Sequence, residues 1–272
     1  QTSRRESASA AADGYKRQVS QAAPPFRTPF FYGGVVICVA FGTMAVAVNA
    51  RTAFSLLYPP ILDEFGWDRG VTAGAFAVGF FVATAATPLF GMMMDRWGPR
   101  VVIPLGALFA AVGFVIATGM ESPAGLFVSF GLFVIAGSVG MSYVGHSMFL
   151  PNWVVKRLGL AIGIAFSGVG AGSIVLLPVA QLVIDSFGWR AACLALAIAV
   201  AAVVVPLNLV FQRRQPSDIG LEPDGGGPRE ADGSAAAPVD NVVDKAWTET
   251  EWTLPRALRT GRLWWVCAGY FS

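Results

Sequence analysis

Charge is scarce in this chain. Of its 272 residues only 13% are Asp, Glu, Lys or Arg while 55% are hydrophobic, and the mean hydropathy is +0.60. The net charge of +2 gives no basic surplus to hold nucleic acid, and no such partner is expected. Histidine occurs once, as His146. A single imidazole with no buried acid beside it excludes a metal site or an ordinary catalytic triad, so neither a cofactor nor an enzymatic activity is expected. The three cysteines, Cys38, Cys193 and Cys267, all fall in apolar runs, where a thiol behaves as a small buried hydrophobe rather than half of a disulfide. Every Asp and Glu lies in a loop, a tail or at a helix end. That leaves no buried carboxylate to carry a proton alongside a neutral solute. The first 30 residues have no apolar core of their own, which excludes a cleaved signal peptide and reads as a disordered cytoplasmic tail.

Long apolar runs are what the chain does have. Stretches such as AGAFAVGFFVATAATPLFGMMM (73–94) exceed the roughly 18 consecutive apolar residues that mark a membrane-spanning helix. The pattern predicts an all-α polytopic membrane protein with six spans at about 33–58, 71–94, 101–119, 124–150, 159–183 and 190–211. A seventh begins near Leu263 and stops at Ser272; with Gln1 in place of an initiating Met, the chain is expected to be a fragment of a longer protein. Basic residues collect on alternate loops: Arg4, Arg5, Lys16, Arg17 and Arg27 in the tail, Arg96 and Arg100 after span two, Lys156 and Arg157 after span four, Arg213 and Arg214 after span six. This puts the N-terminus in the cytoplasm. Residues 212–262, with PDGGGPREADGSAAAPVD, read as a flexible cytoplasmic linker, and WTLPRALRTGRLWW (252–265) as a segment lying along the membrane surface.

One short stretch concentrates charge between oily segments: GMMMDRWGPR (91–100), with Gly91, Asp95, Arg96, Gly98 and Arg100. A positive-inside loop explains the arginines but neither the acid nor the glycine spacing. Gly91 would let the end of helix two approach another helix closely, and Asp95 is placed to meet the positive end of a helix dipole. The stretch resembles the major facilitator superfamily signature G-x-x-x-D-R-x-G between helices two and three. The resemblance implies two six-helix halves joined by a cytoplasmic loop, each half built as two inverted three-helix repeats. It implies that 31–211 is the N-terminal bundle, that the second bundle is missing, and that the charged cluster latches the halves on the cytoplasmic side.

Further stretches narrow the branch. NWVVKRLGLAIGIAFSGVGAGS (152–173) resembles the entry to helix five in monocarboxylate transporters and oxalate:formate antiporter-like carriers, matched by Trp153, Lys156, Arg157, Leu160, Ala161, Gly163 and Gly168. QPSDIGLEPDG (215–225) and the approach to helix seven are similar to bacterial members of that branch. Two departures bear on the branch. SGVGAGSIVLLP lacks the Gly-Pro pair of drug/proton antiporters, and PFRTPFFYGG stands where animal monocarboxylate carriers have an acidic motif. A bacterial relative in the inner membrane is expected.

Arg51, in VNARTAF of span one, is the expected substrate contact. A charge at that depth costs about 2.5–3.5 kcal/mol even on insertion scales, so it faces a water-filled cavity or a partner, or snorkels to the headgroups. The guanidinium fork suits a carboxylate, and the resembling transporters place a basic residue at about this point. Asn49 either touches the substrate or bonds a neighbouring helix. Tyr143 is a third candidate, one turn from His146 on the same face. By helix register it lies about 15 Å inward of Arg51, too far for both to hold one small anion in one state. His146 is the candidate for proton coupling, or else a packed polar group. Trp153 and Trp189 are expected in the interfacial belts, and the helix-five glycines are expected to serve packing. The whole reads as a carrier of a small organic anion, coupled to protons or a counter-anion within the bilayer. Carriers of drugs or nitrate, and a non-transporting sensor, are the rivals.

Overall fold

A computed structural model of the chain describes residues 32–154, 157–219, 256 and 259–271, and the regular elements among them are all helical. The expected tail (1–30), Lys156 and most of the 212–262 linker lie outside the described residues. Gln1–Arg229 and Glu230–Ser272 make two compact units. In the second, a helix runs Gly261–Phe271 and exposes Trp264 and Trp265.

Span one is two helices in line, α1 (Tyr32–Thr52) and α2 (Phe54–Phe65), meeting at Ala53. Pro59 and Pro60 sit inside α2, where each removes a helical hydrogen bond and pushes on the carbonyl four residues back. Span two is α3 (Arg69–Trp97), whose first turn is capped by the Asp68 carboxylate accepting from the Gly70 amide at 2.7 Å. Span three, α4 (Pro99–Thr118), opens on a proline, which suits a position whose amide has no partner. Span four runs through α5 (Pro123–Leu126), a π-helical stretch (Phe127–Val134) and α6 (Ile135–Gly140). It then breaks at Met141 and Ser142 and resumes as α7 (Tyr143–Trp153).

The last apolar run, Leu158–Phe211, is 54 residues long. Straight, it would extend about 80 Å, far more than the roughly 30 Å hydrocarbon core. It comprises α8 (Leu158–Ala199), a π turn and α9 (Val205–Phe211), and α8 folds back at Gly188, where φ is 82° and ψ 168°. That conformation suits only glycine. The reversal shows in the packing: Gly168 meets Phe41, and Asn208 Nδ2 donates to Thr43 Oγ1 at 2.7 Å. Both arms therefore reach the middle of α1. The two arms match the expected fifth and sixth spans, so the five span-length helical runs among the described residues make six span-length segments.

Small residues set how closely these spans approach. A Cβ on Gly168 or Gly172 would overlap the carbonyl oxygens of Phe41 or Ala45, so spans one and five touch backbone to backbone. On span three, a Cβ on Gly106 would sit 2.6 Å from the Gly137 carbonyl of span four, and one on Gly113 would sit 2.8 Å from the Ser129 carbonyl. Without a hydrophobic driving force between helices in lipid, such dispersion contacts hold a bundle together. A Cβ added to Gly159, Gly163 or Gly170 would meet nothing within 4 Å, so these three join no seam among the described residues. Span two and the Leu158–Phe211 run are the least buried, 11% and 28% of the most apolar window in each, against 56% for span three.

Gly172→Val drives a side chain into the Ala45 carbonyl and is expected to cost about 1–3 kcal/mol as overpacking. Gly163→Ala fills open space in a helix and is expected to stabilise by about 0.5–1 kcal/mol. Thermal unfolding of the two variants in detergent should therefore shift in opposite directions.

Candidate functional site

The seam between spans one and five fixes where Arg51 points. Asn49, buried two residues earlier, donates its amide to the carbonyls of Ala45 at 2.8 Å and Val169 at 2.9 Å. Two residues along a helix turn about 200°, so Arg51 lies on the far side of that seam. There the guanidinium sits over the Phe80 ring of α3, 5.7 Å from its centroid. It borders a cavity of about 460 Å³ lined by Arg51, Thr52, Phe54, Ser55, Tyr58, Ala73, Phe76 and Phe80. Among the described residues the one ion pair joins Arg190 to Glu64, so no protein carboxylate there answers Arg51. Of its two readings, Asn49 takes the second: its amide is engaged by helix packing.

Tyr143 opens α7 just past the span-four break, 41% exposed, its ring edge-on to Phe166 at 4.8 Å. His146 does not share that exposure. It is wholly buried, Nδ1 lies 3.0 Å from the Ser142 carbonyl, and Nε2 has no partner among the described residues.

At one end of the bundle the charged cluster is tied to the chain leaving span six. Gly98 turns with φ 75° and packs on the Arg214 side chain. Arg214 Nη1 donates to the Asp95 carbonyl at 2.5 Å, Arg100 Nε to the Leu209 carbonyl at 2.7 Å, and Tyr32 Oη to the Phe211 carbonyl at 2.7 Å. Trp153 Nε1 donates to the Arg213 carbonyl at 3.2 Å, and its ring lies 5.5 Å from Tyr32. Trp153, expected in an interfacial belt, is instead fully buried: its ring fills the space where the strap after span six crosses. Asp95, Arg96 and Arg157 stay exposed, and Gly91 leaves open space beside it.

A sequence profile of the Major Facilitator Superfamily matches residues 35–272. The chain belongs to this superfamily. Monocarboxylate transporter 11 of Homo sapiens is 31% identical over 165 residues, covering 61% of this chain and 35% of that protein. Its Mus musculus counterpart is 32% identical over 167 residues, covering 61% and 37%. An uncharacterized 38 kDa protein of Thermoproteus tenax is 34% identical over 176 residues, covering 63% and 45%. The chain thus spans under half the length of these relatives.

For this major facilitator chain, sequence reasoning missed two groups. The aromatic wall of the Arg51 cavity draws Phe76 and Phe80 from a different span, and only the polar pair Thr52 and Ser55 beside Arg51 hinted at it. At the opposite end Glu64 accepts from Arg190 at 2.6 and 2.8 Å and from Trp189 Nε1 at 2.6 Å, while Arg190 Nε reaches the Thr118 carbonyl at 3.2 Å. The paired FGWDR and FGWR turns at 65–69 and 187–190 carried that signal. Trp189, expected in a belt, is buried as a member of this cluster.

The strap separates two roles within the charged cluster. Arg214→Ala removes the bond to the Asp95 carbonyl and is expected to lower the unfolding temperature. Asp95→Asn leaves that backbone bond in place and should leave the unfolding temperature unchanged, as differential scanning fluorimetry will report.

Proposed function

We propose that the full-length protein is a secondary active transporter moving a small organic anion by alternating access. The observation that carries this reading is Arg51, a guanidinium inside a membrane span with no carboxylate among the described residues to answer it, facing a cavity of about 460 Å³. A buried or half-buried cation in hydrocarbon is stable only beside water, headgroups or an anion, and a carboxylate matches the guanidinium fork in charge and geometry. Tyr143, half-exposed at the start of α7, is the second candidate contact. The names of the monocarboxylate transporters that the chain resembles support the substrate class. The whole cycle needs more than this six-span bundle, since these relatives extend well beyond the matched part.

In this reading the chain is a carrier and not an enzyme. The spans sit in a plasma membrane of bacterial type, with the N-terminus and the Asp95 cluster cytoplasmic, as the distribution of basic residues supports. Asp95, exposed beside an open Gly91, is left to meet the other half of the carrier as the latch opens and closes. Coupling is to a proton carried with the anion or to a counter-anion, and His146 is the side chain that would take the proton.

The test is uptake of labelled lactate, pyruvate, formate and oxalate by the full-length protein in proteoliposomes, with and without a pH gradient. Saturable uptake of one acid that falls by at least about tenfold in Arg51→Gln is expected, about 1.4 kcal/mol or more of lost stabilisation. Dependence on the gradient marks proton symport, and its absence with trans-stimulation marks exchange. Arg51→Gln transporting at the wild-type rate would sink the reading.

A further inference from the structure

The cavity beside Arg51 is larger and more aromatic than the shortest acids need. Its wall is made by Phe54 and Phe76, stacked at 4.8 Å with 6° between the rings, and by Phe80, edge-on to Phe76 at 5.1 Å. Phe54 is itself buried against Phe130, 4.9 Å away, so the wall is backed by the core of the bundle. The polar groups that line the cavity gather at one side: Arg51, Thr52 and Ser55 follow closely along the chain, and the Tyr58 hydroxyl is taken by the Arg69 carbonyl at 3.1 Å. The Ser55 hydroxyl already donates to the Thr52 carbonyl at 2.9 Å, and that of Thr52 to the Val48 carbonyl at 3.0 Å. The site therefore offers one unanswered cation at one edge and a run of ring surface for the rest.

A volume of about 460 Å³ lies in the range of pockets that enclose drug-sized ligands. Formate, acetate or lactate would engage the guanidinium and leave the ring wall in contact with water. An aryl group attached to the carboxylate would cover that wall, and rings pack favourably on phenylalanine edge-to-face or offset. Its carboxylate would meet Arg51 as a charge-assisted pair.

We infer that the cavity selects carboxylates that carry an aryl group over one- to three-carbon acids. The inference rests on the proposal that Arg51 receives a carboxylate. Phe80 is the selectivity residue, being half-exposed on the cavity side and already beneath the Arg51 guanidinium. Phe76, stacked on Phe54, sets the depth of the ring slot.

Equilibrium binding to the full-length protein in lipid nanodiscs tests this with four probes: phenylacetate, acetate, lactate and the neutral phenylacetamide. Phenylacetate is expected to bind at least about tenfold more tightly than acetate or lactate. Phe80→Ala should reduce that preference severalfold, phenylacetate losing more affinity than acetate. Since Phe80 is half-exposed its truncation leaves the core intact; Phe76→Leu, which keeps apolar bulk in place of a ring, should lower the preference as well. Acetate or lactate binding as tightly as phenylacetate would overturn the aryl inference and leave the carboxylate reading standing. Phenylacetamide binding as tightly as phenylacetate would overturn both, because the charge would then contribute nothing.

Discussion

A guanidinium placed within hydrocarbon must be answered, and the layout of this bundle follows from how Arg51 is answered. It is not paired with a protein acid among the described residues. It is not turned into the seam between spans one and five either, because Asn49 fills that side with its two carbonyl bonds. What remains is the opposite face, where Phe80 offers a weakly attractive ring and a cavity offers room for water or an anion. Glu64 is engaged with Arg190 and Trp189 at one end of the bundle, and the Asp95 carbonyl with Arg214 at the other.

Around this cation the bundle is rigid where backbones touch and open where they do not. The glycine contacts between spans one and five and between spans three and four leave little slack. Both ends of the bundle are stitched by polar side chains, one through Glu64 and Arg190 and the other through bonds to the main-chain carbonyls of the strap at 209–214.

Much of this was legible in the sequence. Apolar runs marked the span-length segments because each must cross a fixed thickness, and the gap between the runs at 159–183 and 190–211 fell on the reversal at Gly188. The 98–100 region declared itself through Gly98, whose positive φ no other residue type adopts readily. Arg51 stood out because a charge in a span is rare. Other features depended on partners distant in the chain. Trp153 and Trp189 look like belt residues by composition, yet each is buried by contacts that only the folded bundle brings together. The ring wall of the cavity is assembled from α2 and α3, and no periodicity within either helix reveals that Phe54 stacks on Phe76.

The central claim is that the Arg51 guanidinium receives the substrate carboxylate, and the most direct measurement is a distance. Dipolar-recoupling solid-state NMR on the full-length protein, with ¹⁵N in the arginine side chains and ¹³C in the carboxylate of a bound acid, reads it. Arg51 is identified by comparison with Arg51→Gln. A separation of about 4 Å or less, lost in the variant, is what a charge-assisted pair requires. Strong binding of the acid with no dephasing from any arginine nitrogen, or dephasing that survives Arg51→Gln, would contradict it.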